Sequence, residues 1–333
     1  MAGLAQQATS CGPSTLAIAR ARLLVSRPVM HRSVVVAALL LAVSACRSSA
    51  DTAAPGATPT AATAAKAVVA EDFAAVLAMP HRSADNRSRD ASRHPAETLA
   101  FFEVRPDATV VELWPGGGWY TEILAPYLKA DGKLVVTVFD PAGPEAYYGT
   151  GQSKALLERA AAAPEVFGTL HTAMVKQLVE LGPDGKVAKT TLQSLELGPP
   201  DSADVVLTFR NSHGWYRNGA LPLVYGAAFR VLRPGGIFGV EQHRAAVGAD
   251  PEQTAPKGYL PEATVIAAAE AAGFELVERS EIGGNPKDTH DHPDGVWSLP
   301  PTLSGGETDR AKFEAIGESD RMTLKFRKPL AKP

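Results

Sequence analysis

The sequence predicts an α/β protein with a doubly wound, mostly parallel sheet of seven strands, the last of them antiparallel. Segments with the pattern of strands alternate with segments with the pattern of helices, which is typical of a parallel sheet covered on both faces. A glycine-rich loop follows the first strand directly, and residues 322–327 alternate apolar and polar side chains as a last strand. Hydrophobic residues make up 45% of the chain and charged residues 21%, so a packed core is expected.

The individual elements follow from hydrophobic spacing and from turn residues. Pro95 suits the first turn of a helix, the sequence R-P-G-G at 233–236 ends another helix, and Gly273 caps a third. The predicted strands are residues 109–113, 133–139, 189–193, 204–209, 237–242, 274–280 and 322–327. The predicted helices are residues 71–79, 96–102, 120–127, 154–163, 221–232 and 261–272, with a further helix near 173–181 in an ambiguous stretch.

The first 70 residues have the organisation of an exported protein. Residues 30–46 combine a basic start, a short apolar run and small residues before Cys46, which is the layout of a secretory signal. The sequence V-S-A-C resembles a bacterial lipobox, which implies a lipidated cysteine. Arg47 after it favours a periplasm-facing lipoprotein of the outer membrane. An ordinary signal peptide or a weak membrane anchor is the alternative.

The remaining boundaries follow from this leader. Residues 1–29 are interpreted as an upstream extension from a misassigned start, with Met30 as the initiator. Residues 47–70, rich in alanine, threonine and proline, predict a disordered tether. Residues 71–330 then form one domain with an N-terminal helical cover. The charged stretch at 80–90 is either a solvated face of that cover or part of a site.

Charge and cysteine content exclude several kinds of function. The formal net charge of −3 gives no electrostatic footprint for nucleic acid, so nucleic acid is not expected as a partner. Both cysteines, Cys11 and Cys46, precede the domain, which therefore contains no disulfide and no thiol nucleophile. Contact with a membrane is expected only through the lipid on Cys46.

The loop after the first strand carries the most information about a ligand. The sequence T-V-V-E-L-W-P-G-G-G-W-Y at 109–120 takes a buried strand through Glu112 into a glycine turn and then a helix. Backbone approaches nucleotide-like ligands in this way, because a Cβ at the glycines would block the ligand or the turn. The candidate cofactor-binding residues here are Glu112, Pro115, Gly116, Gly117, Gly118 and Trp119.

Polar residues also end later strands. Asp140, about twenty residues beyond the loop, could accept hydrogen bonds from ribose hydroxyls or could only cap a turn. The sequence R-N-S-H-G-W at 210–215 follows the fourth predicted strand, and its His213 is either functional or a hydrogen-bonded structural histidine. Residues 241–244 are expected to be structural or at the rim of a site. A nicotinamide dehydrogenase is disfavoured because Thr121 stands where the dinucleotide fingerprint has its third glycine.

Taken together, these motifs resemble a class I S-adenosylmethionine-dependent methyltransferase. The resemblance spans about residues 95–328 and rests on V-V-E-L-x-x-G-x-G, the acid after the second strand, D-V-V at 204–206, V-L-R-P-G-G at 231–236 and A-A-G-F at 271–274. The loop E-L-W-P-G-G-G-W-Y and the strand end F-R-N-x-H-x-W are similar to a bacterial group of predicted methyltransferases. In that group an R-S-A-D-N-x-x-R-D segment, here at 82–90, also precedes the domain.

The resemblance implies a Rossmann-like methyltransferase fold, S-adenosylmethionine as cofactor and roles for individual residues. Glu112 would take the place of the acid that ends the first strand. Gly116 and Gly118 would hold the methionine part and Asp140 the ribose. Arg210 and Asn211 complete the predicted cofactor site. Gln193 or Ser194 occupies about the place of the usual adenine-contacting acid, which is a departure from the family pattern.

The predicted catalytic residues are His213, as a base because the unperturbed pKa of histidine lies near neutrality, and Tyr120 as a lesser candidate. Trp114 stands where most of the family has a first glycine, so it would either stack on the cofactor or fill its site. The leading hypothesis is a methyltransferase for a small molecule. The alternative is an exported ligand-binding protein with a catalytically degenerate fold, because S-adenosylmethionine is made in the cytosol. The tail D-T-H-D-H-P-D at 288–294 could ligate a metal, although a plain polar loop is favoured.

Overall fold

The computed structural model describes residues 67–168 and 170–331. The predicted extension, the signal segment with Cys46 and most of the tether lie outside these residues, so those assignments stay predictions. Among the residues described, no helix combines the length and the hydropathy that a membrane crossing requires.

Eight strands form one sheet in the order β4-β3-β2-β1-β5-β6-β8-β7. The strands are β1 Thr109–Leu113, β2 Lys133–Val138, β3 His171–Leu181, β4 Val187–Leu195, β5 Ala203–Phe209, β6 Leu232–His243, β7 Glu275–Ser280 and β8 Arg321–Arg327. β1, β2, β3, β5 and β6 run parallel, whereas β8 is antiparallel to β6 and β7. The predicted doubly wound, mostly parallel sheet with an antiparallel last strand is confirmed. The strand order reverses between β1 and β5, which is where such sheets bind ligands.

Helices cover both faces of this sheet. The α-helices are α1 Ala74–Leu77, α2 Ala84–Ser88, α3 Asp90–Arg93, α4 Pro95–Phe101, α5 Thr121–Leu128, α6 Tyr148–Ala162, α7 Pro164–Phe167, α8 Ser212–Arg217, α9 Leu221–Val231, α10 Pro251–Thr254, α11 Glu262–Ala271 and α12 Arg310–Ile316. Short 3₁₀ helices span Ala70–Phe73, Ala255–Lys257 and Gly295–Ser298. One core lies under α9 and α11, and a second lies under α4, α5 and α6.

The prediction of seven strands and of a helix near 173–181 is wrong. Those residues belong to β3, which turns at 182–185 and pairs antiparallel with β4. The burial of β3 alternates, with Ala173 and Val175 inward and Met174 and Lys176 exposed. This period of two fits a strand, so pairing with β2 and β4 overrides the local helix propensity. The segment 189–193 is therefore the middle of an antiparallel edge strand.

The cover, residues 70–102, packs against α5 through both rings and charges. Phe73 is fully buried and stacks on Tyr127 with 4.3 Å between ring centroids. Arg82 is also buried and donates to Asp90 at 2.7 Å and to Glu122 at 3.0 Å. Residues 83–85, 87 and 88 are exposed, as the interpretation of a solvated face expects, but Arg82 is an internal ion-pair partner.

Candidate functional site

A cavity of about 430 Å³ lies at the carboxyl ends of β1, β2 and β5. Two of its walls differ in origin, and α6 contributes further lining side chains. The sheet wall consists of strand ends and the loops that follow them, within residues 112–117, 137–139 and 209–213. The cap wall consists of the cover and the β7–β8 connection, residues 281–320, and its main side chains are Asn86, Arg89, Arg93, Trp297 and Glu318.

The glycine loop forms the centre of the sheet wall. The amide of Gly118 donates to the carbonyl of Pro115 at 2.9 Å, which closes a turn with positive φ at Gly116 and Gly118. Gly118 is buried, and a Cβ there would lie 2.6 Å from Arg159, so its glycine serves packing. A Cβ at Gly117 would meet no atom within 4 Å, because this residue faces the cavity. Gly117 is therefore the position at which backbone is open to a ligand.

Glu112 ends β1 inside this cavity. Its side chain is buried and accepts a hydrogen bond from the Thr121 hydroxyl at 2.7 Å. Burial raises the pKa of Glu112 to about 7, against the opposing effects of the Thr121 hydrogen bond and of Arg159. The carboxyl group can thus be either a hydrogen-bond donor or an anion near neutral pH.

Trp114 lies at the carboxyl edge of the sheet, where two cavities are close together. Its amide donates to the Thr137 hydroxyl at 2.7 Å, and its φ of +47° is unusual for a bulky residue. The indole lies edge-on to Phe139 and to Trp215, with centroid distances of 5.6 and 4.9 Å. It lines both the first cavity and a second one of about 600 Å³ beside Tyr148. The indole therefore occupies space between the end of β2 and the loop after β5.

The loop after β5 connects the ends of β1 and β5 at the switch point, where the strand order reverses. The amide of Asn211's side chain donates to the carbonyls of Leu113 and Trp114 at 3.1 and 3.3 Å. Arg210 adopts a positive φ of 65° and donates through Nη1 to Glu241 at 3.1 Å. Asn211 therefore holds the glycine loop in place, whereas Arg210 brings a positive charge to the cavity.

His213 lines the cavity, but its pKa differs from the unperturbed value of histidine. Burial lowers the pKa of His213 to about 4, and Arg217 and Arg210 act in the same direction. Its Nδ1 is 3.4 Å from the side-chain nitrogen of Gln242. The unperturbed pKa, on which the predicted role as a base rests, is therefore not retained in the folded protein. At pH 7 the imidazole is neutral, and it can accept or donate a hydrogen bond without carrying charge.

Tyr120 and Trp119 are tied into the protein more than the sequence indicates. Tyr120 stacks on Phe209 at 3.5 Å, and its hydroxyl donates to Glu241 at 3.3 Å. Burial raises the pKa of Tyr120 well above its usual value, so it stays protonated and is poorly suited as a base. Trp119 donates through Nε1 to the carbonyl of Asn86 and stacks beneath the Arg93 guanidinium. Both rings therefore anchor the cover to the loop while their edges reach the cavity.

Four predicted cofactor contacts do not line this cavity: the buried Gly118 and three residues outside the glycine loop. Asp140 is exposed and accepts from the amide of Ala142 at 2.9 Å, which is the turn-capping arrangement. Gln193 is exposed on β4, which β3 and β2 separate from β1. Ser194 lines a different groove with Lys133 and His171. β3, which the sequence did not predict as a strand, lies between β2 and β4. Residues 193 and 194 in β4 are therefore farther from β1 than the sequence predicts for residues beside an adenine.

The cap wall is the part that sequence reasoning missed. Trp297 and Glu318 belong to the β7–β8 connection, whose D-T-H-D-H-P-D sequence at 288–294 indicated at most a metal site and includes neither residue. Arg89 lies in the R-S-A-D-N-x-x-R-D segment, which was the one available signal. Its contact with Glu318 spans 229 residues of sequence, and no local pattern predicts such a pair.

The histidine-rich tail forms an internal hydrogen-bonded cluster. Asp288 accepts from the Tyr259 hydroxyl at 3.1 Å, from the amide of Asp320 at 2.8 Å and lies 2.9 Å from Nε2 of His292. Within the described ranges, no group of three or more histidine, cysteine or acidic side chains is arranged to hold a metal ion. The cluster anchors the β7–β8 connection, which carries part of the cap wall.

Comparison with known proteins finds likeness in structure only. No family model matches the chain, and no curated protein matches it. The [4+2]-cyclase SpnF is 15% identical, with a TM-score of 0.46, over 72% of this chain and 82% of that one. An S-adenosylmethionine-dependent methyltransferase from Aquifex aeolicus is 16% identical, with a TM-score of 0.40, over 59% and 87%. The YcgJ protein from Bacillus subtilis is 12% identical, with a TM-score of 0.43, over 72% and 100%. At these identities the reaction has to be argued from the site itself.

Proposed function

We propose that this protein is an S-adenosylmethionine-dependent methyltransferase that acts on a small molecule. One observation carries the proposal: open backbone at Gly117 and the buried carboxyl of Glu112 face one cavity at the switch point of the sheet. The ordered strand-end motifs support it, because they resemble those of class I methyltransferases.

The residues of the sheet wall fit such a cofactor at its amino-acid end. Gly116 and Gly117 would admit it close to the backbone, and Glu112 offers a carboxyl oxygen not used by Thr121. Asp140 would not hold the ribose in the arrangement described, so the nucleoside would have to contact other groups. The bound cofactor would supply an activated methyl group. The task of the protein is then to align the acceptor and exclude water.

His213 is the side chain best placed to orient the accepting atom. A neutral imidazole with a pKa of about 4 is a weak base, but it accepts a hydrogen bond without bringing a charge into the cavity. We infer that His213 positions an acceptor hydroxyl or amine more than it removes a proton.

Calorimetry with S-adenosylhomocysteine tests the proposal directly. The wild-type protein should bind it, and Gly117→Val should weaken binding at least about tenfold, because the added side chain enters the cavity. Gly151→Val is the matched control, since Gly151 also has no atom within 4 Å of an added Cβ but lies on α6 outside the cavity. Absence of binding to the wild-type protein would overturn the proposal.

Trp114 supports a second candidate function, an exported binding protein that has lost methyl transfer. Its indole already packs between Phe139 and Trp215 at the edge of the sheet. If Trp114 stacks on the cofactor, Trp114→Ala weakens S-adenosylhomocysteine binding. If it occludes the site, the same variant creates or strengthens binding, and mass spectrometry of the wild-type protein should find a different co-purified ligand.

We also propose that the chain is exported and lipidated at Cys46, with the outer membrane as its destination. The lipobox-like V-S-A-C sequence supports this proposal. Labelling of cells with an alkyne-bearing fatty acid should tag the wild-type protein and leave Cys46→Ser untagged. Equal labelling of both chains would contradict it.

A further inference from the structure

Positive charge exceeds negative charge beside the cavity. Four arginines share two carboxylates there, and they form one connected network. Glu318 lies 2.7 Å from Arg89, 3.1 Å from Arg93 and 3.3 Å from Arg321. A second carboxylate, Glu241, lies 3.1 Å from Arg210 and 3.5 Å from Arg321.

The neighbouring charges do not correct this excess. Arg82 and Arg159 face Asp90 and Glu122, so that group is balanced within itself. Glu112 is the remaining acidic residue of the cavity, and its raised pKa of about 7 leaves it only partly ionised at neutral pH.

The network is largely buried, so its excess positive charge destabilises the protein. The side chains of Arg321 and Glu241 are 1% and 0% exposed, and that of Arg93 is 4% exposed. Unbalanced charge in such surroundings loses hydration without a full Coulombic return. An anionic ligand in the cavity would restore the balance.

Two of the arginines have donors left for such a ligand. Arg89 uses Nε for Glu318, and Arg210 uses Nη1 for Glu241; the described residues provide no hydrogen-bond partner for their other side-chain nitrogens. Both side chains line the cavity, with 23% and 21% of their surface exposed. A guanidinium presents paired N–H groups that match the two oxygens of a carboxylate.

The charged network reaches the cavity from both walls. Arg89 and Glu318 belong to the cap wall, whereas Arg210 belongs to the loop after β5 in the sheet wall, as does Gly117 of the glycine loop. The anion is assigned to the acceptor because Arg89 and Glu318 are not part of the glycine loop that the proposed cofactor contacts. The cap wall also contributes the indole of Trp297, which suits a flat apolar group.

We propose that the methyl acceptor is a carboxylic acid with a planar apolar body, whose carboxylate binds Arg89 and Arg210. This inference rests on the proposed function, because it treats the cavity as shared by acceptor and cofactor. Its physical basis, however, is the arginine network alone.

Calorimetry on the purified protein with 4-hydroxycinnamate and its neutral amide tests the inference. The acid should bind at least about tenfold more tightly than the amide, because only the acid completes the charge balance. Arg89→Met should remove most of that preference and Arg89→Lys should keep part of it. Arg87→Met is the matched control, since Arg87 is exposed on α2 and does not line the cavity.

Each outcome has a distinct meaning. Equal affinity for acid and amide in the wild-type protein overturns the inference, and this comparison stands even if Arg89→Met does not fold. If Arg89→Met weakens S-adenosylhomocysteine binding and spares the acid, the arginines bind the cofactor's own carboxylate and the assignment is wrong. If the acid preference holds while S-adenosylhomocysteine does not bind, the anion site survives and the proposed methyltransferase function fails.

Discussion

The two walls of the cavity are built by different physics. The sheet wall is positioned by strand ladders, so Glu112 and Gly117 follow directly from the pairing of β1 with β2 and β5. The cap wall is positioned by ion pairs between distant segments, such as Arg89 with Glu318. Backbone pairing places atoms regardless of pH and salt, whereas an ionic network depends on every partner staying charged.

This difference assigns separate tasks to the walls. The sheet wall offers open backbone and one buried acid. The cap wall offers arginines and an indole. Substitutions should therefore damage the walls in different ways.

The largest loss of stability is expected where the cover is held by a buried charge. Arg82→Met removes the partner of Asp90 and Glu122 and should lower the free energy of unfolding by about 3–5 kcal/mol, because Glu122 stays buried without its main cation. Arg310→Met is the control, since its pairs with Glu307 and Glu314 are exposed and are worth only about 0–1 kcal/mol. Urea unfolding measures both, and similar losses would show that the cover is not held by its internal ion pairs.

Within the glycine loop, two adjacent glycines should respond differently. Gly118→Ala forces an alanine to a φ of +77° and places its Cβ 2.6 Å from the end of the Arg159 side chain and 2.7 Å from that of Leu156. Both side-chain ends can shift, so the substitution should cost about 1–3 kcal/mol, mainly from the backbone conformation. Gly117→Ala meets no atom within 4 Å and should change stability by less than about 0.5 kcal/mol. Thermal unfolding separates the two variants, and a matching loss at Gly117 would mean that this position serves the fold.

Glu112 in the sheet wall should make the folded protein less stable as pH rises. Its folded-state pKa of about 7 lies above the value of 4.5 for a free side chain, so its contribution to stability is full below pH 4.5 and is lost as pH rises to about 7. Glu112→Gln should therefore be more stable than the wild type at pH 8, by about 1–3 kcal/mol, and should bind S-adenosylhomocysteine less well. Urea unfolding of both proteins at pH 4.5 and at pH 8 checks this. If the free energies of unfolding of Glu112→Gln and of the wild type differ by the same amount at both pH values, the prediction is contradicted.

His213, at the junction of the walls, should have the smallest effect on stability and a selective effect on turnover. His213→Ala should reduce kcat about tenfold or more and leave S-adenosylhomocysteine affinity within about twofold. The rate of the wild type should show no limb near pH 6.5, because the pKa of His213 is lowered to about 4. Equal losses in turnover and in cofactor binding would refute the positioning role.

The sequence alone determined the positions of β1, of the glycine loop that follows it and of α5. The segment 109–120 has a strong period and a glycine turn, so β1, its loop and α5 could be placed within one or two residues. The helix expected near 173–181 failed, because its residues have mixed propensity and only pairing with β2 and β4 decides their state.

The residues of the candidate site likewise divide into those that the sequence predicted and those that only the tertiary structure brought there. Glu112, Gly116, Gly117, Arg210, Asn211 and His213 were recognisable because strand ends converge in a parallel sheet. Tertiary structure alone decided the rest. It placed Asp140 in an exposed turn, moved the pKa of His213 by burial, and brought Arg89 to Glu318 across 229 residues. Local patterns specify backbone, whereas burial and long-range charge pairing exist only once the chain has folded.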